Sequence, residues 1–386
     1  MFSSRLPPHA ETNALTRAVE ALRAGGVAFV DLTESNPTRA GIPYPSGLLE
    51  PLADARALRY EPQPFGLPSA RAAVAADQSR RGADVAPEQV VLTASTSEAY
   101  SWLFKLLCNP GERVLVPRPS YPLFEHLTRL EGICAEPYDL EYHGRWTIDV
   151  QSIASAPADT RAVLLVSPNN PTGSYINADD LEQISGLCRE RRWALVADEV
   201  FADYALDAER PLTDIASRSD VLSFTLAGLS KSVGLPQLKL GWMVVGGPAP
   251  QSDAALAALE LVADSFLSVA TPVQVAAPEL LRAGASIRTA IHARIRHNLD
   301  ALRTAARAFP ACEVLRTEGG WSAVVRVPST RGEERLILDL LERERILVHP
   351  GYFFDFPREA YIIVSLLPPE ESFSDAMARV LPFVTS

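Results

Sequence analysis

Residues 221–242 read VLSFTLAGLSKSVGLPQLKLGW: an apolar run, a turn of small residues, a lysine, and a second lysine eight residues on. Lysine is rare in this chain. Of 36 basic side chains only Lys105, Lys231 and Lys239 are lysines, so two of the three fall in one window. The run VLSFTL lacks the clean alternation of a strand with one wet face, which predicts a strand buried on both sides, as in a parallel sheet. Lys231 then stands just past the strand's end, where ligands of open α/β sheets collect. A lysine amine becomes neutral when desolvated and can form a Schiff base, whereas arginine stays charged. The residue type therefore predicts chemistry at Lys231.

Outward from this window the pattern repeats in QVVLT, RVLVP, AVLLVSP, WALVADEV and LGWMVVGG. Amphipathic segments such as residues 179–192, DDLEQISGLCRERR, lie between them. Such alternation from about residue 68 to 250 predicts a doubly wound α/β domain. After about residue 280 the texture changes to an Arg-rich helix over 286–308, then GGWSAVVRVP, a helix near 333–345 and YIIVSLLPPEE, which predict a smaller α+β domain. Residues 11–24, ETNALTRAVEALRA, predict a helix closed by Gly25 and Gly26. The assignment is a large domain over 45–280 and a small one built from 1–44 and 281–386.

Bulk properties narrow the partners. With 386 residues, 47% apolar and 22% charged, the chain has the composition of a two-domain globular protein. A net charge of −11 argues against nucleic acid or an anionic membrane as partner. No apolar run approaches the roughly 20 residues that span a bilayer, and the first residues lack the apolar core of a signal peptide. Cys108, Cys134, Cys188 and Cys312 are single, without metal-ligand spacing, and predict reduced, mostly buried thiols of a cytoplasmic protein with no structural metal.

Three further motifs stand at predicted strand ends. In VVLTASTSEAYSWLFKLL, Ser95 and Glu98 form a capping box. Ser95, Thr96 and Ser97 add hydroxyls to a helix N-terminus, a place suited to an anion as well as to a plain cap. LLVSPNNPTG ends a strand in a turn whose Asn, Pro and Gly need no function to explain them. WALVADEVFADY places Asp198 and Glu199 after a buried strand, where an acid is either solvated or chemical.

Taken in order, DLTESNPT, YEPQPFGLPSAR, TASTSEA, PRPSYPLF, SPNNPTG, ADEVFADY, LSKSVGLP and HPGYFF resemble the class I/II aminotransferases, pyridoxal 5′-phosphate (PLP) enzymes of fold type I, over roughly residues 30–380. The resemblance implies that Lys231 holds PLP as a Schiff base and then moves the α-proton as general base. Asp198 pairs with the pyridine nitrogen, Asn170 with the ring's phenolic oxygen, and Tyr121 stacks on the ring. Ser95, Thr96, Ser97 and Ser230 cradle the phosphate, joined by Lys239. Tyr60 reaches the phosphate of a neighbouring subunit, which implies a homodimer with shared sites. Asn36, Arg39, Trp321 and Tyr352 are the substrate-side candidates.

Four positions depart from the family's pattern. Lys239 replaces an arginine fork with a point charge. Gly228 stands where a serine is common. Phe201 replaces a tyrosine that donates to the phenolic oxygen, with Tyr204 the nearest alternative donor. Ile363 stands where an arginine grips the substrate carboxylate, leaving Arg39 or Arg326 as replacement cations or a substrate without that group. The reading is a PLP-dependent aminotransferase working by ping-pong exchange between an amino acid, or a related amine, and a keto acid. The alternative is a PLP-dependent lyase of the β-elimination type on the same fold.

Overall fold

The computed structural model describes residues 2–6, 13–211 and 213–386. Its centre is an eight-stranded sheet formed by β1 Val90–Thr93, β2 Arg113–Arg118, β3 Cys134–Tyr142, β4 Trp146–Ile148, β5 Thr160–Val166, β6 Ala194–Asp198, β7 Ser223–Gly228 and β8 Gly241–Gly246. The spatial order is β1-β8-β7-β6-β5-β2-β3-β4. The five central strands β7, β6, β5, β2 and β3 run parallel, while β8 is antiparallel to both its neighbours and β4 is antiparallel to β3. All six apolar runs of the sequence are strands here. The reason for their unbroken apolarity is visible in β6, where Leu195 and Val196 enter two different apolar clusters on opposite faces of the sheet.

A four-stranded antiparallel sheet follows, from β9 Glu313–Val314, β10 Ser322–Arg326, β11 His349–Pro350 and β12 Tyr361–Ser365, in the order β9-β10-β12-β11. Helices Ala285–Ala306, Glu333–Glu344 and Glu370–Thr385 accompany it. The N-terminal helix spans Ala14–Ala24, with Asn13 Oδ1 accepting from the Thr16 N–H at 2.7 Å, and ends at Gly25 and Gly26. Residues 11 and 12 of the expected helix, and residues 1 and 7–12 of the expected small domain, lie outside the described residues.

The N-terminal segment is drawn across the small sheet by backbone pairing. Val30 and Asp31 run parallel to Ile346 and Leu347, the Ser365 N–H donates to the Leu32 carbonyl at 2.6 Å, and the Ser365 hydroxyl donates to the Glu34 carbonyl at 2.6 Å. This leads residue 35 to the edge of the cleft above the large sheet. Among the described residues no single helix is long and apolar enough to cross a membrane; the bent pair Ala249–Phe266 and Thr271–Ala283 passes that test only when joined across a 120° break. Cys188 and Cys312 are buried as expected, but Cys108 is half-buried and Cys134 exposed, because Cys134 opens β3 near the sheet's edge.

Candidate active site

A cavity of about 350 Å³ lies beyond the carboxyl ends of β1, β5, β6 and β7. Each strand delivers one part of its wall. After β1 come Ser95, Thr96 and Ser97, opening the helix Thr96–Leu107. Ser95 caps it, its Oγ accepting from the Glu98 N–H at 3.1 Å. The reciprocal half of the expected capping box differs. Glu98 accepts from the Ala94 N–H at 2.6 Å, one residue before the cap, and also from the Ser268 hydroxyl. The helix N-terminus with its three hydroxyl side chains faces the cavity and presents unpaired N–H groups to an anion.

The turn after β5 contributes Asn170. Its neighbour Asn169 builds the turn instead, with Oδ1 accepting from the Ser120 hydroxyl at 2.7 Å and Nδ2 donating to the Pro119 carbonyl and to Thr172. β6 ends in Asp198, whose Oδ1 accepts from the Val200 N–H at 3.1 Å and whose Oδ2 accepts from the Tyr100 hydroxyl at 3.0 Å. Burial lifts the Asp198 carboxyl to about 6, against the lowering pull of those two hydrogen bonds and of Lys231. Glu199 faces away and is ion-paired with Arg81, so the two adjacent acids divide into a cavity wall and a structural pair.

β7 ends in Gly228, and the following turn holds Ser230 and Lys231. Desolvation brings the Lys231 ammonium down to about 8. Its Nζ lies 4.8 Å from the centre of the Trp321 ring and 5.5 Å from that of Phe201. Trp321 is itself packed edge-on by Phe201 and Tyr204. Tyr204 therefore does not stand in for the missing phenol at Phe201: its hydroxyl donates to the Lys231 carbonyl at 2.5 Å. Gly228 also has a steric reason. A Cβ there would meet the Leu240 carbonyl oxygen at 3.0 Å and Gly241 Cα at 3.1 Å, so the serine common in the resembled family would fit only if the backbone of β8 gave way by a few tenths of an ångström.

The structure thus brings Ser95, Thr96, Ser97, Tyr121, Asn170, Asp198, Ser230, Lys231 and Trp321 to one cavity. Other candidates stand elsewhere. Lys239 is exposed in a left-handed turn residue with φ 51°. Tyr60 is 71% exposed. Asn36 closes a local turn, Oδ1 accepting from the N–H and hydroxyl of Thr38, and it is Ser35 that lines the cavity. The Arg39 side chain is 74% exposed, 4.0 Å from Glu34, and Arg326 is ion-paired with Glu313. Tyr352 lines a second open cleft of about 650 Å³, which shares Tyr121 and Phe124 with the cavity. Ile363 is buried in β12, between Val324 and His349 of the flanking strands. Among the described residues lining the cavity, Lys231 is the one cation. Sequence reasoning missed Tyr100 and Ser35. Tyr100 had no role in the sequence reading, and only its contact with Asp198 sets it apart.

The chain matches the family Aminotransferase class I and II over residues 36–372. It is 28% identical to an alanine aminotransferase of Mycobacterium bovis over 306 residues, 78% of this chain and 71% of that protein. It is 26% identical to the glutamate-pyruvate aminotransferase AlaA of Haemophilus influenzae over 377 residues, 95% of this chain and 93% of that protein. Among solved structures, the crystal structure of an aminotransferase from Escherichia coli superposes with TM-score 0.87 at 25% identity, covering 100% of this chain and 98% of that one. The protein belongs to the class I and II aminotransferases and has the PLP fold type I. It is a PLP-dependent enzyme that moves an amino group between an amino acid and a keto acid.

The cavity's chemistry fits that cofactor. It holds a buried amine for the aldehyde, a buried carboxylate for the ring nitrogen, an amide side chain, and a hydroxyl-rich helix start for the phosphate. Gly241 leaves this helix start close to β8, since a Cβ there would lie 2.9 Å from the Ser95 carbonyl carbon.

Proposed function

We propose that this aminotransferase works on small amino acids of the alanine type, exchanging the amino group with a keto acid such as pyruvate or 2-oxoglutarate, with Lys231 as the group that holds the cofactor and moves the α-proton. The observation that carries the reading is the desolvated Lys231 amine in one cavity with Asp198 and the hydroxyl-bearing helix start. Bound PLP supplies an electron sink for the carbanion left when the α-proton departs. Asp198 stabilises a proton on the ring nitrogen, Asn170 donates to the phenolic oxygen, and Tyr121 covers the ring face. Ser95, Thr96, Ser97 and Ser230 bind the phosphate. The relatives named for alanine and for glutamate and pyruvate support the substrate class, and Trp321 and Phe201 give the cavity an apolar wall against Lys231 that suits a small apolar side chain.

The chain is read as a homodimer. Tyr60 and Leu58 are 71% and 89% exposed, on a segment that does not line its own cavity, and Tyr60 is assigned to the phosphate of the partner's site, with Lys239, exposed outside the cavity lining, turning in to complete the phosphate's charge. Residues 45–280 form the large domain, and 1–44 with 281–386 the small one. Free thiols suit a cytoplasmic enzyme.

The test is a half-reaction. PLP-loaded protein is mixed with single amino acids and amines, no keto acid present, while cofactor spectrum, keto acid and ammonia are followed. Alanine or glutamate yielding pyridoxamine phosphate and one equivalent of keto acid is the expected result. Continuous ammonia release with PLP retained would make the enzyme a lyase.

A further inference from the structure

Tyr100 sits one turn into the helix whose first residues face the cavity, three and four positions after Ser97 and Thr96, and so on the same side of it. Its ring is buried, packed edge-on against Phe124 at 5.5 Å and tilted against Phe104 at 5.9 Å. Its hydroxyl has one protein partner, Oδ2 of Asp198, at 3.0 Å. A phenol buried this deeply among apolar groups would cost free energy without that partner, and a carboxylate gains most from a donor where water is excluded. One helix therefore carries both the hydroxyl-rich N-terminus and the clamp on the cavity's acid.

We propose that Tyr100 is a positioning residue for Asp198, holding its carboxylate ionised and fixed in register with the Ser95–Ser97 anion site carried by the same helix. The inference rests on the proposed cofactor roles of Asp198 and of that anion site. The sequence reading gave Tyr100 no role. Val200 N–H and Tyr100 hold one carboxylate oxygen each, so without the phenol Oδ2 loses its hydrogen-bond donor. The charged groups facing Asp198 are Lys231 from the turn after β7 and Glu199 beside it, the latter tied to Arg81, while Tyr138 faces Tyr100 from β3. None of these is altered by removing one hydroxyl.

Tyr100→Phe is the test, with Tyr100→Leu as a second variant that also empties the hydroxyl position. In the apoenzyme, the Asp198 carboxyl is titrated by difference infrared spectroscopy against Asp198→Asn. The midpoint moves upward by about one pH unit in both variants, because the lost donor favoured the ionised form. In parallel, the dissociation constant for PLP rises about tenfold in Tyr100→Phe, the weight of one hydrogen bond to a charged group, and shows no further rise when Tyr100→Phe is added to Asp198→Asn. An unchanged midpoint, or affinity effects that simply add, would reduce Tyr100 to core packing. If wild-type protein took up no PLP at all, the cofactor reading would fall, and the apoenzyme titration would still decide whether Tyr100 controls Asp198.

Discussion

The Tyr204 hydroxyl donates a 2.5 Å hydrogen bond to the backbone carbonyl of Lys231, so a tyrosine 27 residues upstream fixes the main chain that carries the amine. Tyr204 is fully buried. Tyr204→Phe keeps the ring against Trp321 and leaves the Lys231 carbonyl without its side-chain partner. The expected cost is about 1–3 kcal/mol of stability, measured by urea unfolding of the apoenzyme, with cofactor still bound through Lys231.

Lys231 is the proposed anchor of the chemistry. Lys231→Arg keeps a cation in place but supplies no deprotonated amine. Borohydride treatment of the PLP-mixed variant followed by peptide mass mapping is expected to find no pyridoxyl adduct in the 221–242 segment. An adduct on another lysine would relocate the anchor.

Two opposed shifts make apoenzyme stability depend on pH. Burial lowers Lys231 from 10.5 to about 8. The unfolded chain then binds the proton more tightly over that interval, and stability rises as pH climbs from about 8 to 10.5. Burial raises Asp198 from 3.8 to about 6, so there the folded chain binds the proton more tightly, and this carboxyl's contribution falls as pH rises from about 3.8 to 6. Unfolding free energies of wild type and Lys231→Met across pH 7–10.5 separate the first effect: the alkaline rise flattens in the variant. An equal rise in both would assign it to another group.

Ile363→Arg, the substitution that restores the family's usual residue, is expected to harm this protein. Ile363 is 1% exposed in a cluster with Leu315, Val324, Phe354 and Phe356, so an arginine there buries an unpaired charge. A loss of at least about 3 kcal/mol is expected, read as a lowered thermal midpoint with no gain in turnover of α-amino acids.

Gly228→Ser tests whether the missing hydroxyl was lost for lack of space. Its Cβ would press on the Leu240 carbonyl at 3.0 Å, and a cost of about 1–3 kcal/mol is expected for such overpacking. Tighter PLP binding without loss of stability would show that the backbone of β8 yields.

The sequence by itself determined the parts whose signals are local. Unbroken apolar runs followed by turn residues give a sheet buried on both faces. A rare lysine after one such run, and an acid after another, mark strand ends where ligands gather. Those signals singled out Lys231 and offered Asp198 and the Ser95–Ser97 segment, while Asn170 came only with the resemblance to the class I/II aminotransferases; the fold gathers all of them in one cavity. What only the tertiary structure decided are the contacts between distant segments. Tyr100 and Asp198 lie 98 residues apart and Tyr204 and Lys231 27 apart, and nothing in a helical apolar stripe distinguishes a tyrosine that packs from one that donates to a buried carboxylate. Gly228 likewise looked like a lost ligand until the close approach of Leu240 showed that a side chain there would be crowded. Asn36 and Asn169 were turn builders beside the cavity residues Ser35 and Asn170, because adjacent residues of a turn point in different directions and sequence order does not say which one faces in.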